Sequence, residues 1–227
     1  MVYNLLGHFY PTITPEPSRL LKDKGWSMVS PPDNLFLNFG YLRPPNIPGR
    51  NKMAVSIVIC TYGRPESLNE TLTSLTKQTF KDFEVILITE KGDLSKLRDT
   101  GLRCARGDIV SFIDDDVYCP PTWLESVTKG FREGVVGVSG PTEIPAELKS
   151  NRDIFKYRRL KKLHDFLFLA GKANIPGYLS SSGTPSLASS DNRTSNEGEV
   201  MYLEACNMAV RRDMALEVGG FDTNFTH

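Results

Sequence analysis

From residue 54 onward the chain alternates short, almost wholly apolar runs with longer stretches whose leucines recur at helical spacing. The runs "AVSIVIC" (54–60), "FEVILIT" (83–89), "IVSFI" (109–113) and "VVGVSG" (135–140) are rich in β-branched residues and too short for helices. They predict strands buried on both faces. Between them, Pro65 opens a helix with Leu68, Leu72 and Leu75 on one side. Asp93 is placed to cap a second helix, with Leu94, Leu97, Gly101, Leu102 and Ala105 facing inward and Gly107 at its end. Pro121 opens a third, carrying Trp123, Leu124, Val127 and Phe131. Repeated strand–helix–strand units predict an α/β fold, Rossmann-like, with a mostly parallel central sheet flanked by helices.

The pattern loosens on either side. Residues 1–52 hold eight of the fifteen prolines, together with Phe9, Tyr10, Trp26, Phe36, Phe39 and Tyr41. This predicts an irregular Pro-rich N-terminal extension whose aromatic surface packs on a core domain at 53–227. Past residue 140, "DIFKYRRLKKLHDFLFLAG" (153–171) reads as a basic amphipathic helix, and the Ser-, Gly- and Asn-rich stretch 177–199 as a loop. "VMYLEACNMAV" (200–210) predicts a strand or extended segment and "RRDMALEVGGF" a short helix.

Lys+Arg and Asp+Glu are equal at 27 each. That balance lacks the basic excess of a general nucleic-acid binder, so no nucleic acid is expected as a partner. Hydrophobic residues at 40% suffice for a real core. The four cysteines, Cys60, Cys104, Cys119 and Cys206, form no CxxC pair and read as reduced thiols. The first residues lack the basic and apolar regions of a signal peptide, and no apolar run reaches transmembrane length. The expected location is therefore cytoplasmic. For the helix at 153–171 the favoured reading is packing on its own domain, and the second is a peripheral contact with a membrane surface.

The chemistry gathers where the strands end. "TYGRPES" follows the first run, "TEKGD" the second and "DDD" the third. Ligands of open parallel sheets bind beyond the carboxyl ends of the strands. Three adjacent carboxylates held by a buried strand suit Mg²⁺ or Mn²⁺, which take only one or two protein carboxylates and keep sites for water and phosphate. The other reading of the run is a solvated turn.

Three segments, "VSIVICTYGRPESLNETLTSLTKQTFKDFEVILIT", "LRDTGLRCARGDIVSFIDDDVYCPPTWLE" and "ACNMAVRRDMALEVGGFDTNF", together resemble family 2 glycosyltransferases of the GT-A fold, over about residues 54–227. The resemblance implies a metal-dependent, inverting transfer of a sugar from a UDP- or GDP-sugar to a hydroxyl of a glycan, lipid-linked or other acceptor. It implies a nucleotide-sugar-binding half at 53–140 and an acceptor-side half at 141–227. Thr61, Tyr62 and Arg64 would line the nucleotide pocket, with Glu90 at the base or ribose and Arg98 facing the nucleotide. Asp114 and Asp116 match the outer positions of the DxD motif, Asp116 as direct metal ligand and Asp114 at the ribose or a metal-bound water. Asp115 joins the nucleotide-binding set. Cys206 and Asn207 would lie on the acceptor side.

The chain departs from the family in three places. It reads "TEKGD" where relatives often read "DDGS", Asp99 stands in place of the usual Asn, and no Glu or Asp follows Asp222, where the family carries its catalytic base. A truncated form of a longer protein is the expectation, with Glu204 or His227 as substitute bases. The runner-up is a nucleotide-sugar-binding module without transfer. Sugar-phosphate nucleotidyltransfer ranks lower, because "CTYGRPES" has a single glycine with which to cradle a triphosphate.

Overall fold

A computed structural model describes residues 26–29, 39–43, 54–140, 200 and 202–224. The helix expected at 153–171, the loop at 177–199, most of the N-terminal extension and His227 lie outside the described residues. Contacts divide the chain into two compact units, Met1–Val138 with Met208–His227, and Ser139–Asn207.

The described strands form one seven-stranded sheet in the order β1-β2-β4-β3-β5-β7-β6. They are β1 (Ser27–Val29), β2 (Phe39–Arg43), β3 (Val55–Cys60), β4 (Phe83–Ile88), β5 (Ile109–Ile113), β6 (Gly137–Ser139) and β7 (Asn207–Arg211). β3 pairs in parallel with β4 on one side and β5 on the other. Their apolar runs are buried almost throughout, as expected for strands covered on both faces. The N-terminal extension was expected to be irregular, yet it supplies two strands. β2 runs antiparallel along β4 and β1 antiparallel along β2. Proline spares both segments, "SMV" and "FGYLR", although it crowds the stretches around them. Trp26 is buried beside them and meets Phe83 edge-on, ring centroids 6.2 Å apart.

Helix α1 is Pro65–Thr76, with proline in the first turn and Leu68, Leu72 and Leu75 buried. Helix α2 spans Leu94–Cys104. Asp93 occupies its N-cap position, but the carboxylate makes no capping hydrogen bond and pairs instead with Lys96 at 3.4 Å. Leu94, expected to face inward, is exposed. The helix stops at Cys104, short of Gly107, because Ala105 turns extended. Gly107 is needed for close approach: a Cβ there would stand 2.5 Å from the Ser56 amide nitrogen. Helix α3 is Trp123–Gly130, beginning beyond Pro121, and α4 is Arg212–Glu217. The Pro120 carbonyl accepts from Gln78 Nε2 at 2.8 Å and from the Trp123 amide at 2.9 Å, and the Pro121 carbonyl from the Thr79 amide at 2.8 Å.

Two polar devices hold the sheet without joining the carboxyl edge. Glu84, buried in β4, accepts from Ser56 Oγ at 2.8 Å and from the Arg106 amide at 3.0 Å. Asp99, buried on α2, accepts from Arg103 Nε at 2.8 Å and from the Phe221 amide at 3.1 Å. It thereby ties α2 to the glycine turn that follows α4. Phe221 also meets Phe112 of β5 edge-on at 5.1 Å.

Candidate functional site

Because β4, β3 and β5 are parallel neighbours, their carboxyl ends lie side by side. The register sets Cys60 opposite Ile88 and Ile59 opposite Ile113. Glu90, Thr61 and Asp114 therefore leave the sheet along one edge. Adjacent strands lie about 4.8 Å apart, so groups leaving neighbouring strand ends come within side-chain reach of one another.

The acidic run does not stay extended: it turns after Asp114. The three carboxylates consequently meet different surroundings. Asp115 is buried, only 3% exposed. Its Oδ2 accepts the Thr61 hydroxyl proton and its Oδ1 pairs with Arg64 Nη1 at 2.9 Å. Asp116 is exposed and pairs with Arg64 Nη2. Asp114 is half-buried and faces Arg98 Nη2 at 3.4 Å, the long end of hydrogen-bond range. Arg98 stands on α2, and Arg64 on the turn between β3 and α1. Gly63, with φ of +69°, makes that turn possible.

Electrostatics follow from the crowding. Burial holds the Asp114 carboxyl above the ordinary aspartate value; Arg98 opposes the rise, and Asp116 and Asp115 add to it. Burial likewise pushes the neighbouring Cys60 thiol up to about 11. Hydrogen bonding and pairing with Asp116, and the charge of Asp115, raise Arg64 further above the usual guanidinium value. Among the described residues, no group of three or more His, Cys, Asp and Glu side chains is placed to hold a metal ion. The donor set fits a hard cation that needs only one or two carboxylates, Asp114 and Asp116 being the two within reach of solvent. It does not form a metal cage by itself.

Of the other sequence-derived candidates, Tyr62 is half-exposed beside Thr61, and Glu90 is half-buried just past β4. Glu204, Cys206 and Asn207 belong to the second unit. Burial raises the Glu204 carboxyl above the ordinary glutamate value. Asn207 is engaged in the backbone there, its carbonyl accepting from the Gly140 amide at 3.2 Å and from Ser139 Oγ at 3.0 Å.

The supports behind the aspartates were not anticipated. Thr71, Ser74 and Gln78 project from α1 and from just beyond it. Thr71 Oγ1 accepts the Val117 amide at 3.1 Å, and Ser74 Oγ the Cys119 amide at 3.0 Å. Gln78 is fully buried; its Nε2 donates to the carbonyls of Cys119 at 3.3 Å and Pro120 at 2.8 Å, and its Oε1 accepts the Leu124 amide at 3.0 Å. The signal was available in "LNETLTSLTKQ": three polar residues at spacings of three and four run beside the leucine stripe.

An open, mostly parallel sheet flanked by helices, with carboxylates and arginines converging at its carboxyl edge, defines an α/β protein whose candidate ligand site is that edge. The sequence pattern of glycosyl transferase family 2 matches residues 56–91 and 88–214, and the chain belongs to that family. It is 27% identical over 203 residues to a glucosyl-dolichyl phosphate glucuronosyltransferase of Haloferax volcanii, covering 76% of this chain and 57% of that protein. It is 25% identical over 154 residues to the uncharacterized glycosyltransferase EpsJ of Bacillus subtilis, covering 51% of this chain and 45% of that one. The chain thus spans about half the length of these relatives. A mannosyltransferase of Pyrobaculum calidifontis, solved in complex with GDP-Man and Mn²⁺, superposes with a TM-score of 0.46 at 18% identity, covering 92% of this chain and 54% of that structure. Among the described residues, no helix is long and apolar enough to cross a membrane.

Proposed function

We propose that this glycosyltransferase moves a sugar, with inversion, from a nucleoside diphosphate sugar to an acceptor hydroxyl, using Mg²⁺ or Mn²⁺ at Asp114 and Asp116. The observation that carries the reading is the convergence of Thr61, Arg64, Arg98 and the three aspartates on the carboxyl edge of β3 and β5. A divalent cation bound there would neutralise the diphosphate as it leaves. Arg98, held on α2 and largely shielded from solvent, supplies a fixed positive charge beside it. Asp115 serves from behind: saturated by Thr61 and Arg64, it fixes the turn that presents its neighbours. Tyr62 and Glu90 stand at the same edge, where a ring can cover the nucleotide and a carboxylate can accept from base N–H or ribose hydroxyls.

For the proton of the acceptor we name Glu204. A general base works best with a pKa near the operating pH, and burial moves this carboxyl in that direction. The Haloferax relative is named for glucosyl-dolichyl phosphate, so a hydroxyl of a lipid-linked sugar is the acceptor class to try first.

The test is calorimetric titration of the chain with UDP and GDP in the presence of Mn²⁺, for the wild type and Asp116→Asn. Metal-dependent binding of one nucleotide that is lost in the variant supports the reading. No binding of either, or binding that ignores the substitution, sinks it.

A further inference from the structure

We propose that Arg64 is a built-in counter-cation. It holds the acidic turn while no metal is present, competes with a divalent cation for Asp116, and transfers to the donor diphosphate when metal and nucleotide arrive together. This rests on the reading of Asp114–Asp116 as the donor and metal site.

The partners at the acidic turn differ in what each can give up. The Asp115 carboxylate is buried and has both oxygens engaged, so it cannot leave the fold to meet a ligand. Asp116 is exposed, and Arg64 bridges it to Asp115 through the two ends of one guanidinium. The Arg64 side chain is itself 49% exposed, whereas that of Arg98 is 18% exposed. Of the two arginines at the aspartates, Arg64 is therefore the one that can move with little loss of packing.

Its backbone, in contrast, is fixed. The Arg64 carbonyl accepts the Leu68 amide at 3.1 Å in the first turn of α1, and Pro65 follows. Any movement is confined to the side chain, which swings from a constant anchor.

Charge then sets the order of events. Three carboxylates face two guanidinium groups, so the metal-free cluster keeps about one unit of its negative charge. A bare divalent cation binding at Asp116 must displace the guanidinium and leave it facing another cation. A cation arriving with a diphosphate brings the phosphate oxygens that a guanidinium pairs with well. Arg64 thus penalises metal alone and rewards metal with nucleotide. By linkage, the coupling acts equally on both ligands.

The experiment titrates Mn²⁺, followed by its electron paramagnetic resonance signal, into the wild type, Arg64→Ala, Arg64→Gln and Asp116→Asn, each with and without UDP or GDP. Circular dichroism checks the fold, and Arg64→Gln keeps the side-chain bulk should Arg64→Ala fail to fold. Expected for either Arg64 variant is Mn²⁺ binding roughly three- to tenfold tighter without nucleotide, the scale of a partly screened ion pair. The enhancement of Mn²⁺ binding by nucleotide should fall by at least the same factor. Mn²⁺ affinity unchanged or weaker in the Arg64 variants, or an undiminished nucleotide enhancement, overturns the inference. If those results come with Mn²⁺ binding that Asp116→Asn abolishes, the metal site itself stands. If the wild type binds Mn²⁺ neither alone nor with nucleotide, the site assignment and the inference fall together.

Discussion

Replacing Gln78 with alanine removes its side-chain hydrogen bonds to the Cys119 and Pro120 carbonyls and to the Leu124 amide. Nε2 serves two carbonyls and Oε1 one amide, and Gln78 itself has no solvent exposure. A buried polar group left without a partner costs about 1–3 kcal/mol, and a truncated buried side chain adds a cavity term. Because the three backbone groups share one short segment, their losses will not add in full. The expected destabilisation is about 3–5 kcal/mol, read as a lower urea midpoint at constant slope. Since that segment follows directly on Asp114–Asp116, Mn²⁺ affinity should fall as well.

Gln78→Glu isolates the hydrogen bonding from the volume. The carboxylate would keep the acceptor for Leu124 but turn a negative oxygen toward two carbonyls. Its pKa in the fold must therefore rise above the unfolded value, and a proton would restore one donor. The variant's deficit should be small below the unfolded glutamate pKa, about 4.3, and grow as pH rises through the elevated folded value. Comparing wild-type and variant urea curves over that range tests the sign. A Gln78→Ala loss under about 1 kcal/mol, or a Gln78→Glu deficit that does not vary with pH, would refute the idea that this side chain holds the turn.

Two other substitutions or conditions check separate parts of the structure. Gly101→Ala would set a Cβ 2.3 Å from Val58 Cγ1, forcing α2 off β3. The expected cost is about 1–3 kcal/mol by thermal unfolding despite alanine's better helix propensity, partly relieved by adding Val58→Ala; a stabilised single variant would contradict the packing. Burial raises the thiols of Cys60 to about 11 and Cys119 to about 12. Both should resist iodoacetamide at pH 8 in the folded chain and react after denaturation, by mass spectrometry. The stability they confer is complete below the unfolded thiol pKa of 9.0 and is lost as pH rises toward 11–12.

Much of the sheet was legible because its signal is local. Buried parallel strands need near-continuous apolar sequence, and "VSIVIC", "FEVILI" and "IVSFI" meet that need within a residue of their observed ends. The strands of the N-terminal extension were not legible. Their place is set by pairing with β4, far along the chain, and prolines around them mask two short segments that contain none. Helix ends failed for a similar reason. Pro121 and Gly107 carry the right local preference, but the carbonyl of the first accepts from Thr79 and the second lies against the Ser56 backbone.

The acidic run shows where sequence reasoning stops. The resemblance makes Asp114 and Asp116 the outer DxD positions and puts Asp115 in the nucleotide-binding set with them. Pattern alone treats the run as extended, because an extended strand alternates its side chains and sets the outer two on similar sides. The turn after Asp114 breaks the alternation and buries Asp115 against Thr61 and Arg64, which are 54 and 51 positions away in the chain. The middle carboxylate is thus the buried one, while Asp114 and Asp116, paired with Arg98 and Arg64, stay within reach of solvent. That division could not be read from the run itself, since it depends on partners brought by β3 and the turn after it. The same dependence explains why α1 matters twice. It starts at the arginine that pairs with the aspartates, and its polar stripe, with Gln78 just beyond, holds the backbone that follows them. A change anywhere on that stripe should be felt at the carboxylates before it is felt in the sheet.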